Sequence, residues 1–212
     1  MGAIAATALL AGCAPGLVGG DRPVDPSLHR ILVSDNSVPA KQGLLYQAMQ
    51  DAEVALQSAA YAVAADEPAE AKARMNNMLH AIDPSFPGTP TVTASGIAAF
   101  WPGTGFGLRR SVEAIVEQAR AVGSRPGASE RVVTQAGHVV SCAEETLGRI
   151  DRVVALGQQA LAAGSAAEMA PLLTQIDDVT RIMMEAPAAE AAGACSLEDV
   201  KGYLDSLALE QA

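Results

Sequence analysis

Aromatic residues are scarce in this chain, with three Phe, three Tyr and one Trp among 212 residues. That excludes a core of interlocked rings. Half of the residues are apolar and alanine supplies much of that half, so the interior has to come from helices that approach one another closely. Positive charge is scarce too: the formal net charge is −10, and the 14 Lys and Arg form no cluster. Binding to a polyanion needs clustered cations that release counterions, so nucleic acid is set aside as a partner. A Gly-rich phosphate loop, His-Glu-x-x-His, Gly-x-Ser-x-Gly and paired-cysteine zinc spacing are all missing, so no catalytic residue is assigned and no enzyme is expected.

What is present starts at the N-terminus. Residues 1–12 are uncharged and apolar, and too short for a mature transmembrane helix. The residues Leu10-Ala11-Gly12-Cys13 resemble the lipobox of bacterial lipoproteins, in which small residues admit the signal peptidase and the cysteine becomes an acylated N-terminus. The resemblance implies a signal peptide over 1–12, lipidation of Cys13, and a membrane partner reached through that lipid in the cell envelope. In a Gram-negative cell, the lack of Asp after Cys13 implies the periplasmic face of the outer membrane. The basic segment that usually opens such a signal is absent, which implies a start codon further upstream or a clipped reading frame. The myristoylation pattern fails, because Ala6 stands where Ser or Thr is needed.

Cysteine usage agrees with export. With Cys13 acylated, Cys142 and Cys195 remain as an even pair, expected as a disulfide in an oxidising compartment; two buried free thiols are the alternative. A nucleophilic Cys142 with His138 four residues before it can be drawn, but beside a second cysteine in an exported protein the disulfide is the commoner fate.

Residues 13–38 hold the lipidated cysteine and a polar, turn-rich stretch suited to a flexible tether, whose Ile31-Leu32-Val33 is apolar enough to pack on the bundle. Residues 39–212 are expected to form a single all-α domain, an up-and-down bundle of four to five main helices. Leu45, Met49, Ala52, Leu56, Ala59 and Val63 recur at three and four and predict a helix over 39–66. Pro68 opens a second helix to residue 82. Residues 83–107 are broken by four Pro and five Gly and predict a long loop. A third helix is expected over 108–122. A fourth, over 129–163, carries a seam of Ala136, Val140, Ala143, Leu147, Ile150, Val154 and Leu161. A fifth runs from a Ser165-x-x-Glu168 capping box to 186, kinked or restarted at Pro171, and Ser196 caps a short sixth.

Two groups of residues are candidates for a site. Phe86, Phe100, Trp101 and Phe106, which include every Phe and the Trp, fall in the loop 83–107. Phe100, Trp101 and Phe106 could form a ligand or partner surface, or the rings could plug one end of an alanine-rich bundle. Met75, Met78, His80 and His138 are the other group, since thioether and imidazole suit copper or haem iron. Met75 and His80 are five apart, about 140° round a helix, so one ion does not readily take both, and core packing is the alternative for the methionines. Cys-x-x-Cys-His is absent and no Glu stands three before any His, which sets aside covalent haem and a di-iron carboxylate site.

The resulting expectation is a lipid-anchored extracytoplasmic bundle that needs no cofactor and has a non-catalytic role, binding a small ligand or an envelope protein, or serving as an envelope accessory. The alternative is a cytochrome-like or copper-binding four-helix bundle, holding haem b or copper through Met and His.

Overall fold

The computed structural model describes residues 25–87, 103–185 and 195–210. Among these the fold is all-α, with seven helices and no strand, which corrects the expected four to five main helices upward. They are α1 (Pro26–Leu32), α2 (Leu44–Val63), α3 (Pro68–Ile82), α4 (Leu108–Gly123), α5 (Glu130–Ala162), α6 (Ala166–Met184) and α7 (Leu197–Leu209). None is long and apolar enough to cross a membrane.

Local chemistry sets most of the boundaries. Asp25 caps α1 by accepting from Ser27 N at 2.7 Å and Leu28 N at 3.4 Å, and Pro26 takes the first turn, where a missing N–H costs nothing. Pro68 opens α3 in the same way. Ser196 and Asp199 form a complete capping box on α7. The box expected at Ser165 is half made: Ser165 Oγ accepts from Glu168 N at 3.3 Å, but Glu168 reaches past it to Gly164 N at 2.9 Å. Pro171 does not restart the helix, since α6 runs through it from Ala166 to Met184. α2 begins five residues later than expected, because residues 33–43 turn back over α1: Asp35 holds Ser37 and Arg30, Lys41 takes a φ of 52°, and Gly43 lies against the Leu32 backbone.

Residues 25–38, read from the sequence as the end of a flexible tether, contain α1 and belong to the folded body. Leu28 and Ile31 are fully buried, each worth about 1.5–3 kcal/mol, and Arg125 in the α4–α5 turn pairs with Asp25 at 2.6 Å.

The hairpins α2–α3 and α5–α6 pack on each other, with α4 against both α2 and α5. Close approach comes from small residues. Ala48, Ala52, Ala55, Ala59 and Ala62 form the buried line of α2, none more than 1% exposed, while the larger Met49, Leu56 and Val63 flank it. Gly157 on α5 gives room to Leu79 and Met78 of α3. α5 is covered on two sides, so its seam is wider and rotated from the expected one: Val132, Ala136, Val139, Cys142, Ala143, Ile150 and Val153 are buried, whereas Val140, Leu147 and Val154 are half-exposed. The second side is covered by α7, whose Leu197, Val200, Leu204 and Leu207 are fully buried and whose Tyr203 stacks on His138.

Candidate functional site

The site begins at a buried carboxylate that the periodicity of α2 gave no reason to single out. Asp51 lies on the inward face of α2 with no exposed surface. Its Oδ1 accepts from Thr104 N at 2.7 Å, and its Oδ2 from the Gln47 amide at 2.9 Å, Thr104 Oγ1 at 3.0 Å and Gly107 N at 3.2 Å. Gln47 also touches the Thr104 hydroxyl. Burial pushes the Asp51 carboxyl above the ordinary range, and these hydrogen bonds only partly reverse it. One side chain therefore fastens residues 103–107 to α2.

The glycines of that segment are dictated by this junction. Gly103 and Gly107 have φ of 82° and 94°; a Cβ on Gly103 would stand 2.8 Å from Asp51 Oδ1, and one on Gly107 2.5 Å from Pro84 Cδ. The segment lies beside the end of α3, where Asp83 Oδ1 accepts from Ser85 N at 2.9 Å and Ser85 Oγ at 2.6 Å in a tight polar turn.

Between that turn and the start of α4 lies a cleft of about 470 Å³. Ile82, Pro84 and Phe106 supply its apolar surface, and Asp83, Ser85, Arg109, Arg110 and Glu113 its polar surface. Phe106 is 4% exposed and forms the floor, with the Arg110 guanidinium 4.5 Å over its ring. Arg109 pairs with Asp151 of α5 at 2.6 Å. The Ser85 hydroxyl, with the charges of Arg109 and His80 behind it, holds the Asp83 carboxyl below its ordinary range against the opposing effect of burial. Among the described residues Arg110 has no hydrogen bond or ion pair, and Glu113 has no polar partner.

Two other hollows are weaker candidates. One of about 620 Å³ runs over α1, but its Arg30 and Asp35 satisfy each other at 2.6 Å. The other, about 160 Å³ between the α2–α3 turn and α6, is small and lined by five alanines with Met169, Leu173 and other side chains.

Of the residues expected to matter, Cys13, Phe100 and Trp101 lie outside the described residues. Phe106 is buried, so it serves as the floor of a cleft and not as an exposed contact ring. Cys142 and Cys195 are disulfide-bonded. Cys142 is 2% exposed, where α5 packs against α7. Arg149 holds the Cys195 carbonyl and Glu145 the Cys195 N–H, so the bridge sits in a polar clamp at the start of α7.

Met75 and Met78 are fully buried in the core, with Met78 against α5. His80 is buried at the end of α3, with Nδ1 2.8 Å from the Asn76 carbonyl and its ring edge-on to Phe86. His138 is on the exposed face of α5 against α7 and does not join the buried methionines. Among the described residues, no three His, Cys, Asp or Glu side chains come together as a metal-binding group.

No protein-family model matches the chain, and no curated protein or solved structure is significantly similar to it.

Proposed function

We propose that this is a lipid-anchored envelope protein that works by binding and not by catalysis, and that a small ligand enters the cleft between the Asp83–Ser85 turn and the first turns of α4. The observation that carries the binding reading is the cleft itself: an aromatic floor with opposite charges, Arg110 and Glu113, standing over it without ion partners among the described residues. A volume of about 470 Å³ lies in the ~300–1,000 Å³ range of small-ligand pockets. The Leu10-Ala11-Gly12-Cys13 resemblance supports the anchor, and the Cys142–Cys195 bridge fits an oxidising compartment.

Each half of the proposal has its own test. Cells expressing the full chain are fed a fatty-acid analogue: the wild type takes up label and Cys13→Ser does not, while label retained in the variant would refute the anchor. For the cleft, a small-molecule library is screened by amide chemical shifts on the full chain. Saturable shifts centred on Ser85, Phe106 and Arg110 are expected, and their absence across the library would refute the binding role.

A further inference from the structure

We infer that the ligand of this cleft is a small zwitterion, a molecule with an ammonium and a carboxylate close together and an apolar group beside them; this rests on the cleft being the binding site. Arg110 carries the argument. Its guanidinium carbon lies 4.5 Å from the centroid of the Phe106 ring, and its N–H groups have no hydrogen-bond partner among the described residues.

Glu113, three residues on, is a neighbour on the same helix, where opposite charges ordinarily meet. Pairs spaced four apart close elsewhere on the molecule, Arg74 on Glu70, Arg149 on Glu145, Arg181 on Asp177 and Lys201 on Asp205. Arg110 and Glu113 do not, and each faces the cleft with its charge unanswered by any described residue.

The balance of charge narrows the class. The cleft has two cations, Arg109 and Arg110, and two anions, Asp83 and Glu113, and Arg109 is already engaged by Asp151. A simple anion would meet Asp83 and Glu113; a simple cation would meet Arg110. A neutral apolar molecule would strip water from all of them and return nothing. A zwitterion answers both signs, its carboxylate on Arg110 and its ammonium on Glu113 and Asp83, while Pro84 and the edge of the Phe106 floor take the apolar group. Free amino acids and short peptides both carry this chemistry.

The test uses the oxidised full chain and isothermal calorimetry with leucine, phenylalanine, their N-acetyl and carboxamide derivatives, and the dipeptide Leu-Leu. A free zwitterion is expected to bind saturably, and capping either end should weaken it by roughly tenfold or more. Arg110→Gln and Glu113→Gln, both on the surface of α4 and checked for unchanged helicity, should each do the same. Tighter binding of the dipeptide would mark the source as a peptide, and tighter binding of leucine or phenylalanine as a free amino acid. Capped derivatives that bind as well as free ones would overturn the zwitterion. So would silence from every zwitterion while another library compound shifts Ser85 and Phe106, an outcome that leaves the binding reading standing. Silence from zwitterions and library alike would overturn both.

Discussion

Asp51→Asn is the sharpest perturbation of the junction under the cleft. The substitution keeps shape and volume but turns one acceptor atom into a donor. Oδ1 can still take the Thr104 N–H, but at the Oδ2 position an NH₂ would face the Gly107 N–H and the Gln47 amide, both donors. The Thr104 hydroxyl can rotate and Gln47 can flip; the Gly107 N–H cannot move and is left buried without an acceptor. One such orphan costs about 1–3 kcal/mol. With roughly 2–4 °C per kcal/mol for a domain of this size, the melting temperature should fall by about 2–12 °C. The pH dependence supplies a second check. Because burial raises the Asp51 carboxyl, the stability it contributes is full below its unfolded pKa and is lost as pH rises through its folded pKa. Asn has no such titration. The gap between wild type and variant, measured by thermal denaturation at fixed salt, should be widest in acid and level off at neutral pH. A variant as stable as wild type at pH 7, or a gap that widens with pH, would refute the role assigned to this carboxylate.

Other perturbations test other parts of the structure. Asp35→Asn should show the opposite slope in the same assay: burial works to raise this carboxyl, but hydrogen bonds from Ser37 and Arg30 outweigh it, so the stability it contributes is present at neutral pH and lost as pH falls through its folded pKa. Replacing both Cys142 and Cys195 by Ala should lower stability by about 4 kcal/mol, from the entropy released by opening a 53-residue loop, and urea titration reads it; a loss under 1 kcal/mol would mean that α7 is held by packing alone. Gly157→Ala and Gly148→Ala make a matched pair on α5. The first places a Cβ 3.0 Å from Leu79 Cδ2 and should destabilise by up to ~2 kcal/mol despite a better helix propensity. The second meets nothing within 4 Å and should stabilise by about 0.5–1 kcal/mol. Equal effects of the two would contradict the close approach of α3 and α5.

The helices were legible because their signals are local. Pro68, Ser165 and Ser196 mark starts, and the spacing of small and apolar residues marks buried faces, so the ends of α3 to α7 fall within about two residues of expectation. Which residue sits at the centre of a face was less legible. On α2 the contact line runs through alanines, because only they allow the neighbouring backbones so near; a reading that weights side-chain size places Met49, Leu56 and Val63 there instead. α1 was hidden because its seven residues are too few for a period to show. The site was mostly illegible. Asp51 left one trace, an acid one step from Ala52 and three from Ala48 on an apolar stripe, but apart from Gln47 its partners are more than fifty residues away. The cleft depends on the turn at Asp83 meeting the start of α4, a juxtaposition that no spacing encodes. The disulfide was readable because the oxidising compartment expected from the lipobox resemblance leaves two cysteines few choices.

The seating of α1 decides how the folded body would respond to a pull. Asp25 stands twelve positions after Cys13, and it is fixed at the α4–α5 turn by Arg125, about 24 Å along α4 from the cleft at its other end. Tension arriving from the N-terminal side enters the fold at that corner, where α1 is held by one ion pair and by Leu28 and Ile31. Loaded from its first residue, so short a helix peels one contact at a time, while the hairpins behind it share their load across whole interfaces. Under such a pull α1 would yield before the hairpins that carry the Asp51 junction and the floor of the cleft.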